Sequence, residues 1–478
     1  MSSVNQFIKN TAIFAISNFA SKILVFLLLP FYTRVLSTSD FGSADILLSA
    51  TSIIVPVLTL CVSEGALRFA LSKNTDNKQA FSYGFIVILI GFIILLSLKP
   101  ILEHLVVIKN NLVFFYIIFI SSALNDYFNK FIRGLNKIKL IGLNGIISTL
   151  VLVVTNIIFL VVFKLGIRGY LLSYFLMNFV SLVVLFCVGG LYKYISFKKV
   201  DKVIIKNMNS YIIPLIPNRV SWILISSFNK YSITFFYGTS MVGIFSAANR
   251  IPSVITTFYS IIQQALLLVV IEEYEDKNKS DIFTKTYISL GTILIIIVII
   301  INILIKPLAS LLFSTNFYDA YKIAPIMVLS AYFGALHGNL TTIFSATKKT
   351  SVLFQNSFLG MILTILLSII LVPRYGIYGA IITSLIVYFL MWFRMYNLTR
   401  KIIEFNYSVK GDMVSYVLIL IHWLVLVYFD GAIYYSLSII ILIIILLIQK
   451  RKLITLTIIV KDKLYEIWGL IRRRITNG

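Results

Sequence analysis

Carboxylates are the scarce residues of this chain: 18 Asp and Glu stand against 42 Lys and Arg, which leaves a formal charge of +24. Cysteine and histidine are rarer still, limited to Cys61, Cys187, His104, His337 and His422 in 478 residues. Both cysteines fall inside apolar runs, so no disulfide framework is expected and each reads as a small packing residue. The three histidines are far apart in sequence and read as packed polar side chains rather than metal ligands. No G-x-x-x-x-G-K-[ST] occurs, so the chain has no phosphate-binding loop with which to hydrolyse ATP, and H-E-x-x-H and G-x-S-x-G are absent as well. No loop is long enough to form a catalytic domain. These absences argue against an enzyme, and neither a metal nor an organic cofactor is expected.

What the chain has in excess is apolar surface. Residues that are 59% hydrophobic, with a mean hydropathy of +0.97, exceed what a soluble core of this length hides. The expected class is an all-α polytopic membrane protein with fourteen spans. They fall at 11–35, 43–63, 81–98, 112–130, 141–162 and 170–191, then 211–236, 242–271, 286–305, 323–345, 353–372 and 377–397, and finally 413–428 and 432–449. The first stretch is too long for a cleaved signal peptide and lacks a small-residue cleavage site. Lys and Arg concentrate in alternate loops and in the C-terminal tail, an asymmetry that places both termini in the cytoplasm. The positive charge therefore reads as membrane orientation, not nucleic-acid binding. Beyond Gln449, Val460, Leu464, Ile467, Trp468 and Ile471 recur at helical spacing against a basic face, the pattern of an interfacial helix.

Two turns recur about 200 residues apart, six spans later. Thr38-Ser39-Asp40-Phe41-Gly42 returns as Thr239-Ser240-Met241-Val242-Gly243, and Gly166-Ile167-Arg168-Gly169 as Gly376-Ile377-Tyr378-Gly379. A third match aligns the basic turn 131–137, ahead of Asn144, with 343–349, ahead of Asn356. Six is even, so the halves run the same way through the bilayer and are related by an axis along its normal. The domains expected are an N-lobe over 1–200, a C-lobe over 201–400, and an appendage over 401–478. Residues 192–209 carry five lysines and form the linker. Such a duplication is the architecture of an alternating-access carrier.

Charges inside the spans mark the candidate site, because each costs at least ~2.5–3.5 kcal/mol at the midplane unless it faces water or a partner. Lys22, with Asn18 one turn earlier, lies near the middle of the first span. Span seven carries Asn218, Arg219, Trp222, Ser226, Asn229 and Lys230 along one stripe, and Arg250 follows in span eight. Arg34 and Arg394 approach helix ends, where a long side chain lifts its charge to the interface. Among acidic groups, Glu64 and Arg68, four apart, form a salt-bridge or gate candidate, as do Asp126 and Lys130. Asp45 has no cation near it in sequence. It and Asp126 are the candidates for coupling to a proton or sodium gradient, since a desolvated carboxylate titrates closer to neutrality.

The segments Pro30-Phe31-Tyr32-Thr33-Arg34, Asp40-Phe41-Gly42, Glu64-Gly65-Ala66-Leu67-Arg68-Phe69, Ile213-Pro214-Leu215-Ile216-Pro217-Asn218 and Gly243-Ile244-Phe245-Ser246-Ala247-Ala248 resemble the polysaccharide-transporter branch of the multidrug/oligosaccharidyl-lipid/polysaccharide exporter superfamily. The likeness extends along the whole chain and is greatest to O-antigen or capsule repeat-unit flippases. It implies movement of an undecaprenyl-diphosphate-linked oligosaccharide from the inner to the outer leaflet of a bacterial plasma membrane, in company with membrane lipids and polysaccharide polymerase machinery. The family's cationic cavity maps onto Lys22, Arg219, Lys230 and Arg250. Relatives carry an Asp-Arg pair near the end of span seven where this chain has Asn229-Lys230, so no carboxylate role carries over there. Clustered cations suit a diphosphate independently of the likeness. A peptidoglycan-precursor flippase shares that headgroup, whereas the cationic substrates of a multidrug exporter would be repelled. A membrane-embedded O-antigen polymerase or ligase is the reading from another class, and the short outer loops near 99–111 and 306–322 disfavour it.

Overall fold

The computed structural model describes residues 23, 24, 26–72, 76–196, 200–260, 263, 279–347, 349–405, 407 and 409–476. Among those residues the regular structure is entirely helical, and ten helices are long and apolar enough to cross a membrane. Lys22 and Asn18 lie outside the described residues, as does most of the first span. Four of the fourteen expected spans do not appear separately among these ten. One 50-residue helix holds two of them, the seventh is too polar to qualify, and the first and eighth are described only in part.

Breaks in the chain follow local chemistry. The first described helix, α1 (Leu29–Val35), ends at an extended Leu36, and Ser37 then caps α2 (Thr38–Leu58) by accepting the Asp40 amide at 3.0 Å. Pro56 withholds a donor near the end of α2, and Leu60 (φ 51°) and Cys61 (φ 54°) turn left-handed before α3 (Val62–Leu71) begins. Two such residues cost about 1–3 kcal/mol each. Their effect is to re-aim Ser63 and Glu64. Next come α4 (Asn77–Ser97), α5 (Leu112–Gly134), α6 (Ile138–Asn156, continued as a π-helix over Ile157–Val162) and α7 (Gly166–Cys187). After the linker, Asp201 caps α8 (Lys202–Ile212), which leads into α9 (Ile216–Tyr237) and α10 (Thr239–Ala248). The longer helices that follow are α11 (Lys279–Ile303), α12 (Ala320–Ala346), α13 (Thr350–Thr399), α14 (Lys410–Tyr428) and α15 (Gly431–Thr476), with a short helix over Ile305–Leu312 between α11 and α12. The basic tail is helical, as its spacing predicts, and it prolongs the last span without a break.

The repeated glycine turn has a positive φ in both places. Gly166 (φ 54°) and Gly376 (φ 57°) are both left-handed, and the latter kinks α13 between its two spans. Three residues on, a Cβ at Gly169 would stand 3.0 Å from Phe159 Cβ, and one at Gly379 2.3 Å from the Leu371 carbonyl oxygen. Asn144 donates to Ser181 Oγ at 2.7 Å, and Asn356 to the Met391 carbonyl at 3.3 Å. Those acceptors stand equally far beyond Gly166 and Gly376.

The chain divides into two compact units. The first holds everything described up to Arg250 together with Ser310–Ala320 and Ser357–Thr383. Its core packs Val62, Ala66, Phe81, Tyr127, Phe131 and Ile212. Within it, α2 and α10 cross with their starts together. A Cβ at Gly42 would lie 1.9 Å from the Thr239 carbonyl oxygen, and one at Gly243 2.0 Å from that of Thr38. Thr38 bonds Ser240 (2.6 Å) and Ser39 bonds Thr239 (2.9 Å). The pairing is reciprocal, as across a local two-fold axis, and its members are the residues of the recurring turn.

The second unit comprises Ile251–Ala309, Tyr321–Asn356 and Ser384–Gly478. An aromatic cluster of Tyr287, Phe333, Trp392, Tyr396, Phe405 and Tyr416 fills it, with Trp392 donating to Tyr287 at 2.7 Å. Asp412, a buried carboxylate at the start of α14, accepts from Gln449 (2.7 Å), Tyr407 and Lys452. Outside the spans, Lys306 bonds Asp430 in the α14–α15 turn and holds that carboxyl below the usual carboxylate range.

Because a side chain at the α2–α10 crossing meets backbone rather than a movable side chain, Gly42→Leu and Gly243→Leu are expected to lower the melting temperature of detergent-purified protein by several degrees, and by similar amounts. Gly411, which has open space around it, is the control: Gly411→Ala should leave melting unchanged or slightly raised. Thermal unfolding of the three variants checks this.

Candidate functional site

A cavity of about 590 Å³ lies inside the first unit, bounded by α2, α3, α5, α7, α9 and Arg250. Among the described residues, four cations line it, Lys130, Arg219, Lys230 and Arg250, and three carboxylates, Asp45, Glu64 and Asp126. The site is therefore less one-sided in charge than the sequence implies. Pairing restores the asymmetry, because both lysines are engaged with the carboxylates.

At the α10 end, Lys230 Nζ lies 2.6 Å from Asp45 Oδ2, with side chains only 11% and 15% exposed. Ser246 Oγ donates to the same oxygen at 2.7 Å, Lys230 reaches Ser49 at 3.4 Å, and Arg250 lies within electrostatic range of Asp45, Tyr32, Tyr170 and Tyr174. Asp45 is thus no isolated carboxylate: its cation comes from α9, far along the sequence. Its hydroxyl donor was legible, since Ser246 occupies the position of Asp45 in the second copy of the recurring turn. One turn after the glycine crossing, repeat-equivalent residues touch each other.

At the α3 end, Lys130 Nζ bridges Glu64 Oε1 (2.8 Å) and Asp126 Oδ2 (3.0 Å), and Ser63 Oγ donates to Asp126 at 2.5 Å. The Asp126–Lys130 pair forms as the spacing predicts. The Glu64–Arg68 pair does not, because α5 presents Lys130 to Glu64 while Arg68 lies over the Tyr211 ring, 4.1 Å from its centroid. A third wall is held by amides. Asn125 donates to Asn178 (2.8 Å) and accepts from Asn129 (2.8 Å) and Ser181 (2.7 Å), fixing the cavity-lining Asn178.

The polar stripe expected on α9 proves to be two stripes. Arg219, Ile223, Ser226 and Lys230 face the cavity. Asn218 and Asn229 instead accept from Ser357 (2.7 Å) and Ser368 (2.6 Å), three turns apart on both α9 and α13. Asn218 therefore belongs to helix packing and not to the cavity wall. Arg219 makes no hydrogen bond or salt bridge among the described residues. Eleven residues separate it from Lys230, or ~16 Å along the helix, so the two cations serve opposite ends of the cavity.

The profile of the family described as "Polysaccharide biosynthesis protein" matches residues 7–271. An uncharacterised membrane protein of Methanocaldococcus jannaschii, MJ1375, is 25% identical over 431 residues, covering 83% of this chain and 99% of its own. Among solved structures, the lipid II flippase MurJ in an inward closed conformation is similar with a TM-score of 0.68 at 16% identity, over 94% of this chain and 99% of that one. An inward-facing multidrug resistance MATE family transporter of the MOP superfamily is similar at 0.67 and 13% identity, over 80% and 94%. These likenesses establish the fold.

The buried pair gives an asymmetric expectation. Asp45→Asn leaves Lys230 without its counter-ion and should cost about 3–5 kcal/mol, whereas Lys230→Met leaves Asp45 with Arg250 nearby and should cost less. The double variant Asp45→Asn/Lys230→Gln should be more stable than Asp45→Asn alone. Chemical unfolding of the purified variants reads the three values.

Proposed function

The chain belongs to the polysaccharide biosynthesis protein family, within the multidrug/oligosaccharidyl-lipid/polysaccharide exporter superfamily, and from that premise we propose that it is a flippase for a polyprenyl-diphosphate-linked oligosaccharide. The substrate is an undecaprenyl-diphosphate-linked O-antigen or capsule repeat unit, moved from the inner to the outer leaflet of the bacterial plasma membrane. The observation that carries this reading is Arg219, a cavity guanidinium with no protein counter-ion among the described residues. Its planar fork matches two phosphoryl oxygens. Sugar hydroxyls find partners in the amide and hydroxyl wall formed by Asn178, Ser122, Ser226 and Ser227.

On this topology the N- and C-lobes are 1–200 and 201–400, with 401–478 appended, and both termini are cytoplasmic. The α3 end of the cavity then faces inward and the α2–α10 crossing closes the outer side. A diphosphate engages Arg219 first. On reaching the outer end it competes with Asp45 for Lys230 and Arg250, and that competition weakens the bond holding α2 to α9 and α10. Substrate charge thereby shifts the balance between inward-open and outward-open states. An ion gradient drives the cycle, with Asp45 the coupling carboxylate and Asp126 holding the inner network. The work is secondary transport, with no chemistry performed on the sugar.

Arg219→Ala is expected to abolish surface glycan in cells while protein levels stay near normal. In proteoliposomes the wild-type chain should flip the lipid-linked oligosaccharide under an imposed proton or sodium gradient, and Asp45→Asn should lose the gradient dependence. Normal glycan with Arg219→Ala would overturn the substrate assignment.

A further inference from the structure

A second cavity, of about 420 Å³, opens where α8 docks on α3, lined by Arg68, Phe69, Ser72, Asn207, Ser210 and Tyr211. Glu64, on the wall of the large cavity, is one helical turn from Arg68. Among the described residues, no carboxylate lines the small one. Released from Glu64 by Lys130, Arg68 makes no hydrogen bond or salt bridge among the described residues, and its donors face open space. Its position is nevertheless fixed. Met208 and Ile212 are fully buried and press on α3 at Gly65, where a Cβ would meet Ile212 Cγ2 at 2.8 Å, and this seats Tyr211 under the guanidinium. On the neighbouring face of α8, Asn209 is engaged by Tyr83 at 2.6 Å and Ser210 donates to the Asn207 carbonyl at 2.9 Å, which leaves the Asn207 amide to the cavity.

We propose that this cavity is a binding site for a phosphoryl-bearing lipid headgroup, separate from the large cavity. A guanidinium stacked on an aromatic ring presents its N–H groups in one plane, the arrangement that takes two oxygens of one phosphate. The Ser72 hydroxyl and the Asn207 amide supply donors to the remaining oxygens, and Phe69 supplies an apolar edge for the chain beyond. With no carboxylate on its wall, the site selects an anion. On the topology proposed above, it lies in the cytoplasmic headgroup layer. Two lipids carry this chemistry there, an anionic bilayer phospholipid and a polyprenyl diphosphate approaching the large cavity.

The test is lipid retention by the full chain, measured by native mass spectrometry after release from nanodiscs doped with phosphatidylglycerol in one arm and undecaprenyl diphosphate in the other. Arg68→Gln is expected to weaken retention about tenfold in at least one arm, and that arm names the source. Arg68→Lys should recover part of the loss. Ser72→Glu, at an exposed position that tolerates a carboxylate, supplies Arg68 with a counter-ion and should weaken retention equally. Retention within twofold of wild type for both Arg68→Gln and Ser72→Glu, in both arms, would overturn the site. Such a result would leave the transport proposal standing, since that rests on Arg219.

Discussion

Two helices approach at backbone contact only where neither carries a Cβ, and the crossing of α2 and α10 at Gly42 and Gly243 sets the register of both helices beyond it. With those glycines opposed, the next turn brings Asp45 against Ser246, and one turn further lie the repeat-equivalent Ser49 and Arg250. Duplication alone would have placed like residues together on the axis. Divergence placed a carboxylate on one side and a hydroxyl on the other, and Lys230 from α9 completes the bond. A symmetric pair of aspartates at that depth would repel. The asymmetry turns a repeat contact into an ion-paired one.

The same economy runs through the rest of the cavity. Of the seven charged side chains on its wall among the described residues, five form two ion-paired groups, Asp45 with Lys230, and Glu64 and Asp126 with Lys130. Each group ties helices that are distant in sequence, which allows charge to stay inside a bilayer without facing lipid. Arg219 stands apart from both. A cation left without a counter-ion among the described residues is, in the proposed function, the group that meets the diphosphate of the substrate.

The repeat could be found in the sequence because its signature is a backbone requirement. Left-handed φ at Gly166 and Gly376 and close approach at Gly42 and Gly243 demand glycine whatever packs nearby. Span positions were legible for a similar reason, hydrocarbon thickness. Pairing was less so. The counter-ions of Asp45 and Glu64 come from α9 and α5, and nothing in a linear spacing brings them near. The division of the α9 stripe between cavity and α13 depends on a rotation of a fraction of a turn, which neighbouring helices set. Asp412 escaped notice because it stands at a helix start, where a carboxylate is ordinary, and its burial arises from the fold of α15 over it.

If the crossing is the outer closure, holding it shut must stop transport. The direct measurement replaces Cys61 and Cys187 by serine, introduces Thr38→Cys and Ser240→Cys, whose parent hydroxyls lie 2.6 Å apart, and tracks flipping of a lipid-linked oligosaccharide in proteoliposomes before and after oxidation. Oxidation should cross-link the pair and reduce flipping to the level of empty vesicles, with reduction by a thiol restoring it. Full-rate flipping by protein shown to be cross-linked would contradict the proposal that α2 and α10 separate during the cycle.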